Sequence, residues 1–456
     1  MKTLFRLLLL FGFISITNAQ QKPVFQRLRY DDDVTYLKTD STKNLYEKIK
    51  YIPLSKNSNY FASIGGEARL QYMNTIDDKW GDDSNGADGY LLSRFLLHAD
   101  IHLGIFRTFV ALQSSFATSK LDPSPVDQNQ LDFHQVFVDA EIIKNENQQL
   151  TIRAGRQEMS YGSQRLISVR ERPNSRLSFD GIKAFYSEKT WQTDVFYTHP
   201  IANQMGVFND DFNENAKFWG SYTVIHKVPL IQNIDLYYLG LWKKKAAFDD
   251  AIGEESRHSF GTRIWKSKGN WKYDFEGLYQ FGKMEEKTIS AWTISSNVSY
   301  TFENVKFKPE IGFKSEYISG DKHAGDNHME TFNPLYPRGA YFGLVGLIGP
   351  SNLIDIHPSI AFDLTEKLGF GIDYDVFWRA SINDGLYAPN MQLLYSGKDA
   401  TERFIGTQLI ANFDYTVSNF LTFSVEGAWF NAGSFLKEVG TGKDYFYSAL
   451  TAQFKF

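Results

Sequence analysis

The chain ends on a strict alternation. In residues 444–456 (DYFYSALTAQFKF), Phe446, Ser448, Leu450, Ala452, Phe454 and Phe456 share one face, and Tyr445, Tyr447, Thr451, Gln453 and Lys455 share the other. A period of two marks a strand with two unlike faces. An exposed edge strand of this kind is a liability in a soluble sheet. A terminal aromatic on an alternating strand instead resembles the signal read by outer-membrane assembly machinery. The pattern recurs in residues 60–72, 91–103, 271–281 and 368–379. Glu67 and Arg69, then Arg94, His98, Asp100 and His102, then Asp274 and Glu276, then Asp373, Asp375 and Arg379 all oppose large apolar groups. Charges on one side and apolar side chains on the other, over about ten residues, suit a strand that crosses lipid with a wet lumen behind it.

The N-terminus fixes the compartment. Lys2 and Arg6 precede an apolar run (residues 7–16) and a small-residue cleavage site ending at Ala19, the form of a secretory signal peptide. The mature chain has no apolar run long enough for a membrane helix. It has no Cys, so disulfides, thiolate metal sites and a Cys nucleophile are all excluded. The expected organisation is a signal peptide (1–19), a periplasmic N-terminal segment (20–59) and an all-β transmembrane antiparallel barrel of about 18 strands (60–456). Every second connection is short, as periplasmic turns are. The others are mostly long and rich in Asp, Asn, Gly and Pro, as outer loops are; a short one near Met284-Glu285 is the exception. The outer membrane is the expected location.

A barrel this wide leaves an aqueous channel unless loops fold into it. The candidate plugs are residues 159–177 and 320–350. The second contains the apolar run FNPLYPRGAYFGLVGLIG (332–349), which either packs on the rim or forms a constriction. The densest charge lies in residues 153–181, which hold Arg153, Arg156, Arg165, Arg170, Arg172, Arg176 and Asp180. Strand parity adds Arg69, Arg94, Arg107, Arg263 and Arg379 to the lumen. Arg156 breaks the parity of its strand, so a bulge at Gly155 is expected to re-aim it. Rings of Arg select anions, and the planar guanidinium suits repeated carboxylates. The plain alternative is that these arginines satisfy lumen carboxylates: Glu67, Asp100, Asp139, Glu141, Asp180, Asp373, Asp375 and Glu426.

Several stretches resemble the alginate-export outer-membrane porin family. They are RYDDDVTYL (29–37) with KYIPL (50–54), IGGEARLQY (64–72), the run from AGRQE (154–158) through YGSQRLIS (161–168) to SFDG (178–181), and FNPLYPRGAYFG (332–343) with NLID (352–355). Within the third, RERPNSR (170–176) carries Arg172 as an addition to the family's pattern. The resemblance implies a monomeric 18-stranded barrel whose electropositive, arginine-lined constriction passes a uronic-acid polymer outward. By matching position it carries over Arg69, Arg94, Arg153, Arg156, Arg165, Arg170 and Arg176 as pore-lining cations.

Weaker signals point elsewhere. H-x-D-x-H at residues 98–102 spaces its same-face neighbours about 7 Å apart, too wide for easy ligation of one ion. The acidic loop 77–89 lacks EF-hand spacing. Asp31, Asp32 and Asp33 are either solvated or pair with lumen arginines from below, and residues 41–50 have the makings of a short helix at the periplasmic mouth. His134 falls on the lipid-facing parity, which argues against a catalytic use. No enzymatic motif, metal, cofactor or nucleic-acid pattern emerges. The expected function is passive conduction of an anionic, alginate-like polysaccharide out of the periplasm, with outer-membrane lipid and periplasmic export factors as partners. The alternatives are an anion-preferring porin for small solutes or oligosaccharides, a barrel-embedded enzyme, and a closed structural barrel.

Overall fold

Alternation becomes architecture in the computed structural model, which describes residues 25–39, 42–83 and 86–456. The signal peptide lies outside the described residues. Eighteen antiparallel strands form the wall: β1 (Tyr60–Ile76), β2 (Ala87–Leu103), β3 (Phe106–Thr118), β4 (Asn129–Lys144), β5 (Gln148–Gln157), β6 (Phe179–Glu188), β7 (Trp191–Ala202), β8 (Ala216–Val228), β9 (Gln232–Ala247), β10 (Ile252–Lys266), β11 (Trp271–Met284), β12 (Lys287–Thr301), β13 (Glu310–Ile318), β14 (Leu353–Asp363), β15 (Leu368–Arg379), β16 (Phe404–Thr416), β17 (Leu421–Ala432) and β18 (Tyr445–Lys455). Each pairs with its neighbour in sequence, and β18 returns to β1 (Glu67 opposite Lys455, Tyr72 opposite Leu450), so the sheet has no free edge.

The outward residues meet lipid: Leu97, Tyr197, Ile294 and Leu450 are each at least half exposed in the isolated chain. Tyr60, Phe106, Trp271, Phe302, Phe307 and Tyr415 form an exposed aromatic girdle at the end with the short turns, the periplasmic end. The long connections gather at the other end. Residues 248–251 make a second short outer turn, because β9 and β10 extend further than their alternation suggests.

Parity fails at a bulge in β4. The register between β3 and β4 shifts at Ala111/Leu112, which lie opposite Gln135 and Phe133, leaving His134 without a partner. His134 and Gln135 therefore both turn inward, and His134 is 5% exposed with Nε2 2.7 Å from Glu158 Oε1. The lipid-facing placement read from sequence is wrong for this residue, because a bulge inverts parity beyond it.

The segment before β1 lies against the inside of the periplasmic mouth. Tyr30 packs edge-on to Phe109 and Phe137, and Arg29 donates to the carbonyls of Gly66 (3.0 Å) and Phe456 (2.9 Å). The short helix α1 (Leu45–Lys50) is capped by Asn44 and Glu47, whose side chains each accept from the other's backbone N–H. Its Lys50 reaches the Ile64 carbonyl (3.1 Å). Asp32 pairs with Arg29 at 2.9 Å.

Candidate functional site

Two loops fold into the lumen and meet there. The first, residues 158–178, joins β5 to β6; the second, 319–352, joins β13 to β14. Ile167 and Tyr336 form a parallel bridge: Tyr336 N–H donates to Leu166 O (2.8 Å) and Ser168 N–H to Tyr336 O (3.0 Å). Loop residues Met159, Leu166, Ile167, Phe332, Leu335, Tyr341, Phe342 and Val345 share a core with wall residues Phe179, Phe196, Phe218, Tyr237, Leu239 and Phe377. Part of the inward wall is thus aromatic, and it covers the apolar run of the second loop, which lies within the barrel.

Four of the predicted arginines hold this assembly in place. Arg94, fully buried, pairs with Glu67 at 2.6 Å and with the loop carboxylate of Glu171. Arg69 donates to Glu171 O (2.7 Å) and approaches its carboxylate at 3.8 Å. Arg176 pairs with Glu158 at 2.8 Å and lies 3.4 Å from Glu171. The guanidinium groups of Arg94, Arg176 and Arg69 around the half-exposed Glu171 side chain hold its carboxyl well below the usual carboxylate range. Across the lumen, Arg165 spans Glu276 (3.4 Å) on β11 and Glu316 (3.6 Å) on β13, and donates to the Tyr341 hydroxyl (2.5 Å). Asn174 fastens the first loop by donating to the carbonyls of Ser93, Phe116 and Asp127.

Other predicted residues are satisfied within the wall. Arg153 makes a two-pronged contact with Asp139 (2.7 and 2.8 Å) and lies between the rings of Phe137 and Tyr30. Arg107 does the same with Asp100 (2.8 and 2.9 Å), which also lies 3.2 Å from His102 Nε2, while His98 and His102 stack on Phe109 and Phe61. Arg263 joins Asp274 (2.6 Å) and Asp235 (2.9 Å), and Glu141 pairs with Lys144 at 2.5 Å.

Three expectations are corrected. The pairings of β5 with β4 and β6 run in register through Gly155, so no bulge re-aims Arg156. Gly155, at φ +127°, allows the backbone of Val136 and Phe137 to approach closely. Arg156 keeps the outward parity of exposed Ile152 and pairs with Asp180 (3.0 Å), also outward, so neither lines the pore. Arg379 is fully buried at the outer end. It donates to the carbonyls of Ile382 (2.8 Å), Ala400 (3.2 Å) and Glu402 (3.0 Å) beneath the Phe435 ring, a tie between outer loops. Asp373 and Asp375 meet His357 instead of an arginine.

What remains on the two loops and the N-terminal segment is a small set of arginines without carboxylates. Among the described residues, Arg27, Arg170, Arg172 and Arg338 form no ion pair. Arg172 donates to the carbonyls of Leu344 (2.5 Å) and Val345 (2.8 Å). Arg170 faces the Tyr336 ring at 5.9 Å, and burial lowers its pKa from the ordinary value, although a guanidinium stays charged near neutrality. Burial and the like charge of nearby Arg338 lower that of Arg27. Arg338 hydrogen-bonds through its backbone N–H to Gln164 O (3.1 Å), with its side chain exposed. Sequence reasoning missed Arg27 and Arg338. The signal for Arg338 is that it is the lone arginine of residues 320–350.

At the outer end of the second loop, Asp321 is buried, and its Oδ2 has no hydrogen-bond donor. Burial, reinforced by Asp384 and Asp250, pushes its carboxyl up to about 6. A folded-state pKa above the ordinary 3.8 means that the folded chain binds the proton more tightly than the unfolded chain does. Stability should therefore rise as pH falls from above 6 toward 4, and each tenfold difference in proton affinity between the two states contributes about 1.4 kcal/mol. Asp321→Asn should flatten this gain, as measured by the temperature at which folded barrel converts to the slow-migrating unfolded form at pH 7.5 and pH 5.

The family model for alginate export matches residues 60–445. Among curated proteins, no sequence matches this chain. Solved porins share the fold at low identity. OpdO of Pseudomonas aeruginosa is 13% identical with a TM-score of 0.56, over 87% of this chain and 97% of that one. A BenF-like porin from Pseudomonas fluorescens Pf-5 is 9% identical with a TM-score of 0.58, over 87% and 98%. OccK2 (OpdF) of Pseudomonas aeruginosa, solved in complex with glucuronate, is 11% identical with a TM-score of 0.53, over 87% and 96%. With the closed 18-stranded wall, the aromatic girdle and the two inward loops, the match places this chain in the alginate export family as an outer-membrane β-barrel porin.

Proposed function

We propose that the barrel passively conducts an anionic polysaccharide, an alginate-like polyuronate, from the periplasm outward past Arg27, Arg170, Arg172 and Arg338. The observation that carries this reading is that these four cations, near the meeting point of the two loops, lack the carboxylate partners that satisfy the other lumen arginines. A guanidinium with free donors binds a sugar carboxylate in place of its water, and several shallow sites in series let a chain move on. Family membership and the glucuronate held by a porin of the same fold support the choice of a uronate. Conduction needs no catalysis, and no role in this reading falls to the buried His134–Glu158 pair beyond supporting the loop.

The test is the reversal potential of the mature protein in a planar bilayer under a salt gradient, with oligouronates added to one side. Anion selectivity with concentration-dependent block is expected. Cation selectivity, or a channel indifferent to oligouronates, would overturn the reading. An anion-selective channel that neutral oligosaccharides block equally well would favour a porin for small solutes.

A further inference from the structure

Behind the second loop, the inner wall carries a charge cluster that conduction does not use. Asp355 and His357 lie on β14, Asp375 on β15 and Glu316 on β13. Glu316 stands directly opposite Asp355 in the ladder, and both carboxylates are fully buried. Like charges facing each other across strands oppose pairing unless something lies between them. Glu316 has partners in Lys314 (3.1 Å), Arg165 and the Tyr341 hydroxyl. Neither oxygen of Asp355 receives a hydrogen bond, and the Lys314 ammonium acts on it only through its charge. A buried carboxylate without donors is among the most costly groups a wall can hold.

The imidazole beside it is oriented for ligation. His357 Nε2 is 2.9 Å from Asp373 Oδ1 and hydrogen-bonds to it. With the Nε2 proton held by that carboxylate, Nδ1 is the nitrogen that can give up its proton to a metal, the arrangement in which a second carboxylate fixes a metal-binding histidine. Nδ1 lies 2.5 Å from Asp375 Oδ1 at angles poor for a hydrogen bond, so an ion that displaced the proton between them would find both atoms in place. The other Asp375 oxygen accepts from Gln408 Nε2 (2.9 Å), which also donates to the loop carbonyl of Phe342 (2.8 Å). One ligand atom each from Asp355, His357 and Asp375 lie within 4.8 Å of one another. Ligands around a common first-row ion, at about 2.0–2.2 Å from it, sit roughly 3–4 Å apart, so small side-chain rotations complete the set.

We infer that Asp355, His357 through Nδ1, and Asp375 bind a divalent first-row transition ion, with zinc as the chemical type. One imidazole and two carboxylates suit such an ion; calcium and magnesium prefer oxygen donors alone. The ion would neutralise the orphaned Asp355 and tie β14 to β15 behind Phe342. This inference does not depend on what the pore conducts.

The test uses the mature protein, folded in detergent, stripped with chelator and titrated with Zn2+. Bound metal is measured after dialysis and folding by heat-modifiable migration. One zinc per barrel and a higher melting temperature are expected. Asp355→Asn and His357→Gln should each weaken binding at least tenfold, and His102→Gln should leave it intact. A wild-type barrel that binds no more zinc than His357→Gln, or an Asp355→Asn barrel that still takes up one zinc, overturns the inference. If either site variant fails to fold, Co2+ bound to the wild type decides: visible d–d absorption with a nitrogen ligand supports the site, and a spectrum of hydrated Co2+ alone overturns it.

Discussion

Changing Arg170, Arg172 and Arg338 together to Glu should move the reversal potential toward cation selectivity and weaken oligouronate block at least tenfold. Each charge-assisted hydrogen bond to a guanidinium contributes about 1.5–3 kcal/mol, and about 1.4 kcal/mol is already a factor of ten in affinity. Three reversed charges in a confined channel also add repulsion along the whole path. These residues are not the wall's ion-pair partners: Arg170 faces a ring, Arg172 two carbonyls, and the Arg338 side chain is exposed. The barrel should therefore still fold, which heat-modifiable migration would check. The informative contrast is Arg153→Glu. It would set a carboxylate against Asp139, which is 3% exposed, in place of a two-pronged ion pair. Breaking a buried pair costs about 3–5 kcal/mol, so this variant should lose folded yield without a specific change in selectivity. A triple variant with unchanged reversal potential would remove these arginines from the conduction path.

The second large effect concerns the loop. Replacing residues 338–347 with a Gly-Ser linker of equal length should raise single-channel conductance several-fold and abolish block by oligouronates. The replaced stretch holds Tyr341, Phe342 and Val345 in the shared core, and three ties to the wall: Gln408 to the Phe342 carbonyl (2.8 Å), the Leu344 N–H to Glu426 (3.0 Å) and the Tyr341 hydroxyl to Glu316 (3.1 Å). Without apolar anchors, a Gly-Ser chain stays a flexible, hydrated coil. An 18-stranded barrel has room for an aqueous channel once its lumen is cleared. The 18 wall strands keep all their ladder pairings, so insertion into the bilayer should survive. Unchanged conductance would mean that the permeation path does not pass this loop.

The arginine cluster shows why part of the site was legible in sequence and part was not. That Arg69, Arg94, Arg153, Arg165 and Arg263 turn inward follows from parity and from their place in residues 153–181. Which of them stay free for a solute depends on carboxylates distant in the chain. Arg165 meets Glu276 and Glu316 across the lumen, and Arg94 meets Glu67 on the neighbouring strand. Glu171, inside the cluster, absorbs charge from three arginines at once, and Arg27 arrives from the N-terminal segment.

Local chemistry determined the wall. A two-residue period, turn residues at alternate ends and a terminal aromatic strand depend only on neighbouring residues, because strand pairing with the next segment repeats one rule 18 times. The tertiary structure alone decided the contents of the lumen. The bulge that turns His134 inward and the even register that keeps Arg156 outward are set by how neighbouring strands pair, and the aromatic inner wall that receives residues 332–349 by contacts made inside the barrel. Period and parity carry no information about such contacts, since any inward position faces many others and only the closed barrel selects which ones meet.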